Sequence, residues 1–212
     1  MARASFLLDA PQRRERDGIL QAPAQPGGRA RQPGGNLSEP SAPLIVTAPL
    51  IVTALFGDGD NGWLQELRRA HYPPERNRVP AHLTLFHHLP PSVQGEIGRR
   101  LAAYAATPAP EAAIAGVIDL GGGTALRVES EGLEDMRYDL ALALRGLLTP
   151  QDMAPWRPHI TVQNKVEPKE AKALQAQLRA GFERRPLAIK GLALWRYLNG
   201  PWEPAKSWTF RG

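Results

Sequence analysis

His82-Leu83-Thr84-Leu85 and His159-Ile160-Thr161-Val162 are two copies of one short phrase, set 77 residues apart. Each opens a run rich in apolar and β-branched residues, Ala81 to Leu89 and His159 to Val166, and such runs predict strands. Side chains alternate along a strand, so each His and Thr share one face while Leu83, Leu85, Ile160 and Val162 point into a core. Each half of the chain thus offers an imidazole beside a hydroxyl on a rigid element. Serine and threonine make up only 14 of the 212 residues, so the five histidines would yield about 0.3 such pairs by chance. One tripeptide is a weak signal; two, each at the head of a strand, are a stronger one.

Outward from these strands, helical and extended stretches alternate. Trp63, Leu64, Leu67 and Ala70 predict a helix over 61–71, closed by Pro73-Pro74, and Val93, Ile97, Leu101 and Tyr104 predict a second over 92–106. Leu133, Met136, Leu140, Leu144 and Leu147 mark a third. Pro168 opens a fourth, carrying Ala171, Leu174, Leu178 and Phe182, since proline is tolerated in a first turn. Ala113 to Leu120 and Thr124 to Val128 read as a hairpin about Gly121-Gly122-Gly123. Leu187 to Leu198 and Ser207 to Phe210 read as another about Asn199-Gly200, with Pro201 and Glu203 lengthening its loop. Upstream, Ala-Pro-Leu-Ile-Val-Thr occurs twice, over 42–47 and 48–53. The second copy runs straight into Ala54-Leu55-Phe56 and is the better first strand; the first is a lead-in or an edge piece. The expected class is mixed α/β in two similar halves.

Residues 1–41 read differently. Five prolines, two Gly-Gly pairs and scattered arginines without apolar period predict a disordered tail, with 42–212 as the folded domain. Phe6 to Leu8 is too short for a signal-peptide core, and Asp9, Glu15 and Asp17 argue against a mitochondrial presequence. The tail reads as a non-functional extension. The chain has no cysteine, which excludes a disulfide framework, a thiolate metal site and a cysteine nucleophile, and agrees with a cytoplasmic location. No apolar run is long enough to span a membrane. The net charge of +5 falls to +3 outside the tail, which suits a local phosphate-binding cleft better than a broad nucleic-acid surface.

Paired imidazoles suit phosphodiester cleavage. A neutral one takes a proton from water and a protonated one gives a proton to the departing oxygen, both forms being accessible near an unperturbed pKa of about 6.5. The two threonine hydroxyls can donate to non-bridging phosphoryl oxygens. No metal or cofactor is needed.

With its two His-x-Thr motifs, the chain resembles the 2H phosphoesterase superfamily over about residues 44–212, and within it the 2'-5' RNA ligase and RNA 2',3'-cyclic phosphodiesterase family. The resemblance implies two pseudo-symmetric lobes of antiparallel sheet with outer helices, the motif strands facing a central cleft. It implies hydrolysis of a 2',3'-cyclic phosphate to a 2'-phosphate, or the related 2'-5' ligation. His159 then acts as base and His82 as acid, with Thr84 and Thr161 binding phosphate, and the partner is an RNA end or a small cyclic nucleotide met by a monomer. Ligase-like members commonly have an arginine shortly after the second motif. Here Gln163-Asn164-Lys165 stands instead, and Lys165, on the His159 face, is the candidate cation, though it lacks arginine's bidentate fork. The alternative from another class is a non-catalytic module that binds RNA ends or nucleotide phosphates in the same cleft.

Other residues carry two readings each. His88 shares the His82 face and is either a cleft-rim group or a surface or core histidine; His87 points the other way, so His82, His87 and His88 make a poor metal site. Trp156 either packs or stacks on a base. Arg157 adjoins the second motif as a substrate contact. Trp195 and Tyr197 either floor the site or belong to the core. Arg127 points away from the apolar face of its strand, towards phosphate or solvent, and His71 ends a helix.

Overall fold

The second hexapeptide copy becomes β1 (Leu50–Phe56), the strand on which the first sheet is built. It pairs antiparallel with β2 (Leu83–Leu89) on one side and β7 (Ile189–Tyr197) on the other, and β8 (Trp202–Thr209) completes the order β2-β1-β7-β8. The second sheet is also antiparallel, ordered β5 (His159–Asn164), β4 (Gly123–Glu129), β3 (Ala113–Asp119) and the short β6 (Arg185–Pro186). The structure is a computed structural model that describes residues 48–200 and 202–211. The tail expected to be disordered and the first hexapeptide copy lie outside them.

Two rounds of strand, helix, strand, helix make the halves alike. The first is β1, α1 (Asp58–His71), β2 and α2 (Gln94–Ala105). The second is β4, α3 (Glu131–Ala143), β5 and α5 (Pro168–Ala180), with the one-turn α4 (Pro150–Met153) just before β5. Each round leaves its His-x-Thr strand at a sheet edge, and these two edges, β2 and β5, approach each other. Helix α2 packs on β7 and β8, and α5 on β3 and β4, while α1 reaches across to β5. The result is an α+β molecule of two pseudo-symmetric lobes.

Burial pins both motif strands in register. Leu83, Leu85, Ile160 and Val162 have no solvent exposure. Burying such a side chain is worth about 1.5–3 kcal/mol, and a slip by one residue would turn all of them outward. They belong to one apolar cluster that runs through both sheets. Gly123 lets β4 approach β5 closely, because a Cβ there would lie 2.4 Å from the Gln163 carbonyl oxygen.

The third helix is shorter than its apolar stripe suggests. It ends at Ala143, Gly146 adopts φ +85°, and Leu147 is 49% exposed, so a left-handed glycine turns the chain before that leucine can pack. Strand β5 ends at Asn164 rather than Val166, because Lys165 takes φ 62°. The β7–β8 pairing continues through Arg196↔Glu203 to Tyr197↔Trp202, so Glu203, expected in the loop, lies in the strand, while Pro201 lies outside the described residues. No described helix is long and apolar enough to cross a membrane.

Candidate active site

His82 and His159 sit at the heads of β2 and β5 in matching surroundings. The Nδ1–H of His82 donates to the Pro80 carbonyl at 2.7 Å, and that of His159 to the Arg157 carbonyl at 2.6 Å. A carbonyl can only accept, so each bond selects the Nδ1–H tautomer and leaves Nε2 available. Both rings and both threonines, Thr84 and Thr161, line one cavity of about 280 Å³ between the lobes.

The two halves are stitched reciprocally at this point. Trp156, in the second half, donates its Nε1–H to the Thr84 carbonyl at 3.0 Å. Arg68, on α1 of the first half, donates to the Thr161 carbonyl at 2.6 Å. Arg68 is 3% exposed and also donates to Asn77 Oδ1 and to the Val79 carbonyl, at 2.8 and 2.9 Å. Arg137 on α3 returns the gesture, donating to the Leu85 carbonyl at 3.1 Å and the Asp152 carbonyl at 2.7 Å. Each motif strand is therefore held by a helix arginine from the opposite half.

The surroundings of the two imidazoles then diverge. Trp202, from the start of β8, lies on His82 with ring centroids 4.6 Å apart, and Trp195 backs it at 6.1 Å while bonding Thr53 Oγ1 at 2.9 Å. Desolvation pushes the His82 pKa down to about 4. The hydrogen bond to Pro80 opposes this, and the charges of Arg68, His87 and His159 add to it.

Of the residues singled out from the sequence, Trp156 and Arg157 line the cavity beside the motif residues. Lys165 does not, because the chain has already left the strand, and its amide bonds Asn164 Oδ1. His88 does not either; His87 takes its place. The reason is a bulge: Thr53 pairs with Thr84 but Val52 pairs with Phe86, so two residues of β2 oppose one of β1. Leu85 and Phe86 are both buried, His87 and His88 are both exposed, and Leu89 is buried again, so the simple alternation is lost beyond the bulge. Trp195 is partly buried and Tyr197 exposed, both outside the cavity lining, and Arg127 is exposed and paired with Glu129.

The sequence reading missed His87, Arg137, Gln151 and Trp202 as lining residues. Two of these left a trace. Consecutive apolar residues at 85 and 86 break the strand alternation, and Arg137 is the one charge on the helix face that carries Leu133, Met136 and Leu140. Trp202 left none, since a hairpin end folding over its own sheet has no local signature. Among the described residues no group of three or more His, Asp or Glu is placed to hold a metal ion. A larger, open hollow of about 1160 Å³ lies elsewhere; its walls are mainly acidic, with Asp60, Glu111, Glu129, Glu131 and Glu134 against Arg184.

Comparisons with known proteins agree with this architecture. A solved structure of TT0787 from Thermus thermophilus matches with a TM-score of 0.55 and 20% identity, over 77% of this chain and 98% of that one. A structure of E. coli LigT complexed with 3'-AMP matches with a TM-score of 0.48 and 20% identity, over 78% and 99%. No curated protein sequence matches. The family model of the 2'-5' RNA ligase superfamily matches residues 56–201, which include both His-x-Thr motifs and most of the chain, and the protein belongs to that superfamily.

Proposed function

We propose that the protein is a metal-independent phosphoesterase that opens a 2',3'-cyclic phosphate, on an RNA end or a nucleotide, to a 2'-phosphomonoester. One observation carries the reading: two imidazoles, each with Nδ1 tied to a backbone carbonyl, line one cavity from opposing edge strands. In-line displacement at phosphorus needs a base on the side of the entering oxygen and an acid on the side of the leaving one, and a pseudo-two-fold pair supplies both.

Following the family's division of roles, His159 Nε2 takes a proton from water as the water oxygen bonds to phosphorus. The bond from phosphorus to the 3'-oxygen breaks, and that oxygen takes a proton from His82 Nε2. The Thr84 and Thr161 hydroxyls donate to the non-bridging oxygens, where charge develops. Arg157 adds positive charge, and Trp156 and Trp202 offer faces for a base. A 5'-hydroxyl in place of water gives a 2'-5' linkage by the same path. With His82 held near 4 in the free protein, its acid role depends on the substrate, whose negative charge beside the ring favours the protonated form. The absence of cysteine supports a cytoplasmic setting.

The test is turnover of 2',3'-cyclic AMP in excess EDTA. The expected product is 2'-AMP at a rate the chelator leaves unchanged, with His82→Ala and His159→Ala each lowering kcat about 10²-fold or more. Activity that vanishes with EDTA, or that survives both substitutions, overturns the reading. Tight binding of phosphorylated ends without turnover identifies a non-catalytic end-binding module instead.

A further inference from the structure

Beyond the motif residues, the cavity wall contains a third imidazole that the fold holds in place. His87 follows the β2 bulge, and its Nδ1 lies 3.1 Å from Asp152 Oδ1. Asp152 is 1% exposed and is grasped from several sides. Oδ1 also accepts the His87 amide at 2.9 Å, and Oδ2 accepts the His88 amide at 2.9 Å. These hydrogen bonds keep its carboxyl below the usual range despite burial, which by itself would raise it. An ionised carboxylate accepts, so the His87 Nδ1 is the donor and Nε2 is the ring's remaining polar atom.

The supports of Asp152 are as deliberate as its contacts. Helix α4 is a single turn, capped by Thr149, whose Oγ1 accepts the Asp152 amide at 3.3 Å. Arg137 ties the Asp152 carbonyl to the Leu85 carbonyl at the bulge, so α3, α4 and β2 are locked at one junction. Of the side chains fixed there, His87 and Arg137 line the cavity of the motif residues. The His87 side chain is 40% exposed, with its Nδ1 engaged by Asp152. A buried carboxylate that orients an imidazole towards a cavity is the arrangement by which proteins aim a ring nitrogen at a ligand. Lys165, the cation expected from the sequence, is absent from this wall.

We infer that His87 is a third phosphate-binding residue of the cleft, its ring carrying a proton on both nitrogens so that Nδ1–H donates to Asp152 and Nε2–H to a phosphoryl oxygen of the substrate, and that Asp152 is its positioning residue. The inference rests on the phosphoesterase reading for the identity of the substrate, but the contact with phosphate can be read without turnover.

The probes are inorganic phosphate and 2',3'-cyclic AMP. Titration of the full chain with phosphate, followed by NMR of the histidine rings, is expected to shift the His87 signals. His87→Ala is expected to weaken phosphate binding about 10-fold and to raise KM by a similar factor, with kcat changed less than 3-fold. His87→Gln, which places an amide donor near the Nε2 position, is expected to recover part of the loss. Asp152→Asn is expected to reproduce the KM effect only while His87 is present; in the His87→Ala background it adds nothing to KM. Unchanged phosphate affinity in His87→Ala, or a loss confined to kcat, overturns the inference. A parent protein that binds phosphate through His87 yet turns over no cyclic phosphate overturns the functional reading and leaves this contact standing.

Discussion

The two motif strands begin with the same residue pattern and end in different electrostatic settings. Both histidines donate Nδ1–H to a carbonyl two residues back, and both threonine carbonyls are held by a side chain from the opposite lobe. Yet of the two motif histidines it is His82 that lies against an aromatic ring, and burial takes its pKa to about 4. Duplicated backbone geometry supplied two equivalent imidazoles; unequal cover is what can make one an acid and the other a base. The pseudo-symmetry thus explains where the groups stand, and its breakage leaves the two rings in unequal electrostatic settings.

The largest effects fall on the histidines themselves. Each alanine substitution is expected to cost about 10²-fold or more, and the double variant little beyond the worse single one, because groups that act in one step are not additive. The division of roles is tested with an aryl phosphodiester whose leaving group needs no proton. His82→Ala is expected to recover most of its lost rate on that substrate, and His159→Ala none. The opposite pattern would exchange the roles and show that the depressed pKa of His82 marks it as the base.

The cross-lobe bonds come next. Arg68→Met removes three hydrogen bonds and leaves three part-buried oxygen acceptors without that partner, a loss of about 3 kcal/mol. Trp156→Phe removes one bond, to the Thr84 carbonyl, and is expected to cost about 1 kcal/mol. Urea unfolding of both variants checks the ranking. Equal losses would mean that the Arg68 bonds to Asn77 and Val79 add nothing to its one bond to the motif strand.

Much of this was legible in the sequence, for particular reasons. Alternation placed Leu83, Leu85, Ile160 and Val162 inside, which is why both His-x-Thr faces could be read outward before any fold was known. The second hexapeptide copy could be placed because it ran on into further apolar residues. Legibility failed where one backbone torsion or one inserted residue reverses a pattern. The bulge at Leu85-Phe86 exchanged His87 for His88, and a positive φ at Lys165 ended β5 early. It failed again where contacts are long-range, as with Trp202 over His82 and Arg68 beneath β5, since periodicity reports only on a residue's own element.

Cover on His82 also predicts a pH dependence of stability. A histidine with a folded pKa near 4 and an unfolded value of about 6.5 binds fewer protons folded than unfolded between those values. Its contribution is therefore complete above about pH 6.5 and is lost as pH falls towards 4. The parent is expected to lose more Tm between pH 7 and 4.5 than His82→Asn does. Trp202→Ala uncovers the ring, so an NMR titration of His82 should move from about 4 towards 6.5. A value that stays near 4 would shift the cause from the indole to the neighbouring charges of Arg68, His87 and His159.

The smallest effect sharpens the comparison at its far end. Lys165 follows the second motif closely enough to suggest a phosphate contact, and in an unbroken strand it would share the His159 face. Its φ of 62° takes it out of the strand, and it is absent from the cavity wall that Arg157 and Arg137 line. Lys165→Ala is accordingly expected to leave kcat/KM for 2',3'-cyclic AMP within about twofold, the small residue being the long-range field of one exposed charge. Arg157→Ala is expected to raise KM several-fold, since that residue lines the cavity and a guanidinium at the wall pairs with phosphate directly. The two substitutions remove the same formal charge from the same lobe. Equal effects would mean that net charge draws the substrate in; unequal effects mean that position on the wall does.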